Sequence, residues 1–251
     1  MTARGPIAHG GPQPLPVRPA PSLVRALRDA RGSEELIVVP PDGDPQQAAM
    51  MAINPVTAAL LLDQYVDLQP GDAVAYNAAT SGLAQWLAAL AGKRGVRTIG
   101  LVRRREDVER VKEGGCEIVV VDDAEIGAVQ ARLRGLNVRL AFDVIGGGSA
   151  GRLLHLLSPR GKLVTYGGVS GEPMELPGSL LIWNQLSVEG FFEGHPHILP
   201  KIAPVLHDLV KMIGPGGIRQ PIAATYPIDR VKEAVAHAVK GGRILLSLSD
   251  G

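Results

Sequence analysis

The stretch Ala73-Val74-Ala75-Tyr76-Asn77-Ala78-Ala79-Thr80-Ser81-Gly82-Leu83-Ala84-Gln85 decides how this chain folds. The turn Gln69-Pro70-Gly71-Asp72 launches a short apolar strand, Ala73 to Tyr76, which runs through small residues directly into a helix predicted from Gly82 to Ala91. Small side chains at such a junction let the backbone approach a bound group, and the free N–H groups and dipole at the helix start favour an anion. A doubly wound α/β sheet places its phosphate turn here. The strict G-x-G-x-x-G string is absent, since Gly82 is the one glycine and Ala79 and Ala84 take neighbouring small positions. On these residues alone the junction reads either as a phosphate cradle or as a tight strand-to-helix turn without a ligand.

Outward from this turn the pattern is regular. Upstream, Asn54 is expected to cap a helix from Pro55 to Tyr65, with Pro55 in its first turn and Ala59, Leu60 and Leu62 buried. Downstream, strands predicted at 98–102, 118–121, 139–144, 162–166 and 187–192 alternate with helices at 106–113, 124–133, 149–157 and 179–185. Short apolar strands joined by helix-length connections pair in parallel, with helices covering both faces. The expected fold is therefore α/β, a doubly wound parallel sheet of about six strands within residues 53–219. A helix at 198–212, a strand at 223–226, a helix at 229–239 and a last strand at 243–248 follow. Residues 220–251 are read with 23–52 as a second, smaller unit. That earlier segment holds a helix candidate from Val24 to Ala30 and a strand candidate, Glu35-Leu36-Ile37-Val38-Val39, stopped by Pro40-Pro41. The first 22 residues contain six prolines and no acidic residue, and are expected to be extended.

Composition narrows the function. The 251 residues carry 26 Lys and Arg against 25 Asp and Glu, a formal charge of +1, so the clustered basic excess of a nucleic-acid binder is missing. One cysteine, Cys116, permits no intrachain disulfide and no cysteine-based zinc cluster, and suits a reducing compartment, read here as the cytoplasm. His195 and His197, one residue apart, form a poor chelating pair, and no metal is expected. No stretch approaches the roughly 20 apolar residues of a membrane helix, so no membrane partner is expected.

The end of the second strand sharpens the ligand. A carboxylate there bonds the ribose hydroxyls of NAD, whereas NADP carries a 2′-phosphate that a carboxylate repels. Here Val102 is followed by Arg103-Arg104-Arg105, which begins 21 residues after Gly82. Guanidinium groups bond phosphate bidentately, so the expected cofactor is NADPH.

Several motifs in order carry a family likeness: Ile53-Asn54-Pro55-Val56-Thr57-Ala58, Leu68-Gln69-Pro70-Gly71-Asp72, Asn77-Ala78 through Gln85, Arg103 with Arg105, Phe142-Asp143-Val144-Ile145-Gly146-Gly147, and Leu163-Val164-Thr165-Tyr166-Gly167-Gly168. From about Ser33 onward the chain resembles the zinc-independent medium-chain dehydrogenase/reductases, nearest to the mitochondrial-type 2-enoyl thioester reductases. The resemblance implies NADPH-dependent reduction of an α,β-unsaturated thioester or carbonyl, from a small-molecule or carrier-bound substrate. It implies Thr57 beside the nicotinamide, Ser81, Gly82 and Leu83 around the pyrophosphate, and Asn77 among the cofactor-binding residues. It puts Arg103 and Arg105 on the 2′-phosphate and Tyr166, Gly167, Gly168, Phe191 and Phe192 along the cofactor cleft. It also implies a homodimer joined edge to edge through the last strand of the sheet, next to the apolar Leu180-Leu181-Ile182-Trp183.

The chain departs from that pattern before Asn54. Relatives carry a complete GroES-like substrate domain there, including a proton-donating tyrosine. Here about 50 residues precede the helix, and they include no tyrosine. Glu193 and His195, after the sixth strand, are the candidate replacement acids, with Asp63 and Tyr65 behind them. Two other readings stay open: a biosynthetic enzyme of changed chemistry on the same scaffold, and a non-catalytic NADPH-binding or partner protein.

Overall fold

A computed structural model describes residues 43–213 and 217–248. The proline-rich start and the helix and strand expected near Val24 and Leu36 lie outside the described residues. Six strands form one sheet: β1 (Asp72–Tyr76), β2 (Arg97–Val102), β3 (Ile118–Val121), β4 (Asn137–Asp143), β5 (Lys162–Thr165) and β6 (Ser187–Gly190). All pairs are parallel and the order is β3-β2-β1-β4-β5-β6, the doubly wound arrangement expected from the alternation. The order reverses between β1 and β4, and the crevice beyond the C-terminal ends of such strands is where open α/β sheets bind ligands.

The helices are α1 (Pro45–Ala48), α2 (Asn54–Gln64), α3 (Gly82–Lys93), α4 (Val108–Glu113), α5 (Ile126–Arg132), α6 (Gly147–Leu156), α7 (Gly178–Asn184), α8 (Leu199–Val210) and α9 (Val231–Lys240). β1 is buried along its whole length, so both its faces are covered and its sequence reads as one apolar run. Ala73 and Ala75 point to one face, where Ala150, Leu153 and Leu154 of α6 join Ile99 and Leu101 in the core. α2 is buried from Pro55 to Leu62 and packs on α3 and α8. The carboxylate of Asp72 holds the entry to β1, accepting from Gln69 N at 2.8 Å and Asn137 Nδ2 at 2.7 Å.

Two strands, β7 (Ala224–Pro227) and β8 (Ile244–Ser247), pair in parallel around α9 and form a second sheet. The start of the described chain is pinned beside it. Gln47 Nε2 donates to Gln220 O at 3.1 Å, and Gln220 N donates back to Gln47 Oε1 at 2.8 Å, in a buried reciprocal pair. Gln46 donates to Thr225 Oγ1, and Asp44 pairs with Arg219.

Some boundaries differ from expectation. Ile53, not Asn54, occupies the cap position of α2, and Asn54 is its first helical residue. β6 ends at Gly190 rather than Phe192, although Phe191 N still donates to Thr165 O at 2.8 Å before the chain leaves the sheet. Glu106 lies in a 3₁₀ turn, Arg105–Asp107, that leads into α4. Leu180 and Leu181 are half-buried against the core rather than exposed, while Ile182 and Trp183 face solvent.

Candidate functional site

At the end of β1 the chain turns through Ala78, whose φ of 48° shows how tightly the backbone bends. Ser81 caps α3, its Oγ accepting from Ala84 N at 3.2 Å while its carbonyl accepts from Gln85 N. Among the described residues no acceptor engages the N–H groups of Gly82 and Leu83. Above them lies a side chain that no local motif announced. A Cβ on Gly82 would overlap Arg243 Nη2 and come within 3.1 Å of Asn54 Nδ2, so glycine here is a condition of that approach. Arg243 reaches the turn from just before β8. It donates to Gln220 Oε1, and Gln220 Nε2 donates to Gly82 O at 2.7 Å. No carboxylate among the described residues neutralises Arg243, and partial burial lowers its pKa from the ordinary guanidinium value. Two open N–H groups, a helix start and a guanidinium without a carboxylate partner could together hold an anion.

The three arginines after β2 divide their work. Arg104 pairs with Glu106 at 2.9 Å, whereas Arg103 and Arg105 are exposed and have no carboxylate partner among the described residues. Asn77, expected among the cofactor-binding residues, has its side chain bonded to the scaffold. Its Nδ2 donates to Asp143 Oδ1 at 2.6 Å and Ser149 Oγ at 3.0 Å, and its Oδ1 accepts from Val144 N at 3.0 Å. Asp143 also accepts from Ile145 N, Gly146 N and Thr165 Oγ1, so this pair ties together the ends of β1, β4 and β5 beneath the crevice.

Beyond β5, Tyr166 N donates to Asp143 O and Val169 N to Val144 O, which runs Tyr166-Gly167-Gly168 alongside the end of β4. A Cβ at Gly167 would press to 2.7 Å from Val144, whereas Gly168 faces open space. Burial, with the nearby Asp143 carboxylate, raises the Tyr166 hydroxyl well above the usual phenol range. Phe191 is buried and Phe192 is half exposed.

Of the acid candidates, Glu193 is half-buried and His195 is exposed. Thr57 is 5% exposed, and its Oγ1 makes no hydrogen bond of normal geometry. Burial pushes the Glu193 carboxyl above the usual glutamate range, partly opposed by Thr57. The His195 ring stacks on His197 at 5.4 Å and meets Phe192 edge-on at 5.7 Å. Tyr65 donates to Gly190 O at 3.1 Å and Asp63 pairs with Arg94, so both serve the scaffold. One cavity among the described residues borders the turn itself, lined by Ala79, Thr80, Ala84, Tyr76, Val111 and Cys116, and another lies apart, lined by residues 62–68 and Arg94. No group of three or more His, Cys, Asp or Glu among the described residues is placed to hold a metal ion.

A dinucleotide fits this arrangement on three counts: the cradle that a Cβ would fill at Gly82, the uncompensated Arg243, and the orphaned hydroxyl of Thr57. Residues 82–208 match the zinc-binding dehydrogenase family. The chain is 32% identical over 216 residues to the mitochondrial enoyl-acyl-carrier-protein reductase of Mus musculus, and 33% over 217 residues to that of Homo sapiens. Each match covers 82% of this chain and 58% of the relative, so the chain spans less than two thirds of the length of these proteins. The mitochondrial 2-enoyl thioester reductase Etr1p/Etr2p heterodimer from Candida tropicalis shares the fold with a TM-score of 0.70 at 23% identity, over 82% of this chain and 63% of that one. The Etr1p complex with NADP and crotonyl-CoA does so with a TM-score of 0.70 at 24% identity, over 80% and 61%. With its sheet order, its phosphate turn and these matches, the chain belongs to the medium-chain dehydrogenase/reductase family of zinc-binding dehydrogenases and is related to its enoyl reductases.

Proposed function

We propose that this chain is an NADPH-dependent reductase of α,β-unsaturated thioesters, free or attached to an acyl carrier. One observation carries the reading: the open N–H groups of Gly82 and Leu83 converge with Arg243, a guanidinium without a carboxylate, at the start of α3. In this reading the pyrophosphate lies there and Arg103 and Arg105 grip the 2′-phosphate. Thr57 offers its hydroxyl at the nicotinamide end, and Tyr166 to Gly168 with Phe191 and Phe192 line the cleft. When bound, the dinucleotide supplies a hydride for the β-carbon of the conjugated double bond. The names of the relatives support the substrate class, since two are enoyl-acyl-carrier-protein reductases and one solved neighbour holds NADP with crotonyl-CoA.

The same reading makes the protein a homodimer. No strand among the described residues covers the outer edge of β6, and Ile182 and Trp183 beside it are 72% and 83% exposed. Two copies joined along that edge cover the open strand and the apolar side chains together.

The test is NADPH oxidation by the purified protein with 2-enoyl thioesters of CoA and of acyl carrier protein, alongside NADPH titration. Saturable oxidation with at least one thioester is expected. NADPH binding without oxidation across the panel would favour the non-catalytic reading, and absence of binding would remove the cofactor from the account.

A further inference from the structure

Every polar atom of Gln220 is bonded. Its backbone N–H donates to Gln47 Oε1 at 2.8 Å, and its carbonyl accepts from Gln47 Nε2 at 3.1 Å. Its side chain serves the turn before α3: Oε1 accepts from Arg243, and Nε2 donates to Gly82 O at 2.7 Å. A guanidinium only donates, so the contact with Arg243 fixes which end of the Gln220 amide is oxygen and leaves the nitrogen for the Gly82 carbonyl. Gln47 and Gln220 are 5% and 3% exposed, so a bond lost between them leaves a buried polar group unpaired.

Gln47 belongs to α1, which has four residues and is too short to persist by itself. Asp44 caps it, accepting from Gln46 N at 2.9 Å, and the same carboxylate pairs with Arg219, the residue before Gln220. Gln46 Nε2 adds a bond to Thr225 Oγ1 at 3.0 Å. α1 is thus docked on residues 219–225, and this docking fixes the backbone from which the Gln220 side chain reaches Arg243. The Arg243 carbonyl is tied to the same stretch, accepting from Ala223 N at 2.8 Å. What holds the guanidinium is an amide. A neutral oxygen orients the group and leaves its charge for a bound anion, whereas a carboxylate would neutralise it.

We propose that Gln47 and Gln220 are positioning residues for the anion site, so that docking of α1 and binding of a dinucleotide at Gly82 reinforce each other. The inference rests on the reading of that turn as the pyrophosphate site. Both polar ends of the Gln47 side chain are engaged by Gln220, and Gln47 acts on the ligand through Gln220 and Arg243. With α1 undocked, Gln220 loses both backbone partners and Arg243 is no longer fixed over Gly82. The linkage is reciprocal: the affinity that docked α1 confers on the dinucleotide equals the stability that the dinucleotide confers on the docking.

Gln47→Met keeps the bulk of the side chain and removes its bonds. It is compared with wild type, Arg243→Gln and the double variant by fluorescence titration of NADPH and NADH, with melting temperature as the check on fold. Gln47→Met is expected to lose at least ~5-fold in affinity for both dinucleotides, the lower end of ordinary coupling between sites. In the Arg243→Gln background the same change should cost nothing further, because the group it positions is gone. In wild type, hydrogen exchange at the amides of residues 48–51, which bond back into α1, should slow when NADPH saturates the protein, and Arg243→Gln should lose that slowing. A Gln47→Met chain that binds as wild type does, or that loses equally in both backgrounds, would overturn the inference and leave the reductase reading intact. If Gln47→Met does not fold, the exchange measurement decides, and amides 48–51 that exchange at one rate with and without NADPH would overturn it. A wild type that binds neither dinucleotide would overturn both the inference and the reading beneath it.

Discussion

Arg243 lies across Gly82, closing over the start of α3 from the far end of the chain. Its neighbour Gln220 fixes it there by accepting from the guanidinium and donating to the Gly82 carbonyl. A charge-assisted hydrogen bond contributes about 1.5–3 kcal/mol. Arg243→Gln is therefore expected to weaken dinucleotide binding by at least ~10-fold. The loss should be equal for NADPH and NADH, because the pyrophosphate is common to both. Titration of each cofactor by fluorescence checks this, and a loss confined to one of them would move Arg243 away from the pyrophosphate.

Arg103 and Arg105 should behave in the opposite way. Both are exposed and unpaired by any carboxylate of the described chain, whereas Arg104 already has Glu106. Arg103→Ala and Arg105→Ala are each expected to cost NADPH at least ~10-fold in affinity while NADH changes little. Equal wild-type affinities for the two cofactors would count against the 2′-phosphate assignment.

Asp122 offers a pH-dependent measure of stability. It follows β3, and burial pushes its carboxyl above the ordinary range, partly opposed by the Ser149 hydroxyl at 2.6 Å and by Arg152. The unfolded carboxyl ionises near about 3.9, below the folded one, so wild-type stability falls as pH rises from that value through the folded pKa. Asp122→Asn removes this loss. Its stability relative to wild type should be higher at neutral pH than at about pH 3.5. Urea titrations at the two pH values measure the difference, and an opposite sign would show that the contact with Arg152 dominates.

The open edge of β6 predicts association. Light scattering at micromolar concentration should report a dimer, and Trp183→Glu should shift it to monomer without lowering the melting temperature by more than a few degrees, because that side chain is 83% exposed. A monomeric wild type would overturn the edge-to-edge arrangement.

The sheet was legible because β1 to β6 are short apolar runs separated by helix-length segments, and that pattern admits few topologies. The places of the turn, of Gly82 and of the three arginines were legible for the same local reason, since they follow their strands directly. Arg243 and Gln220 left no such signal. They reach Gly82 from the second sheet, and nothing near Arg243 in sequence says where its side chain goes. Asn54 misled as a cap because its amide is turned toward Gly82. Asn77 and Asp143 look like site residues by position, yet their polar atoms are spent on each other, which is visible only as a bond network.

The reciprocal bonds between Gln47 and Gln220 join residues 173 apart, and Gln220 meets Gly82 across 138. On a ribosome, the six-stranded sheet has all its strands once Gly190 has emerged, well before either contact can form. Assembly of the anion site thus comes after that of the sheet. A nascent chain stopped ahead of Arg243 would carry a nearly finished sheet with the turn before α3 unguarded, and dinucleotide binding would report on the arrival of Arg243 rather than on the folding of the sheet.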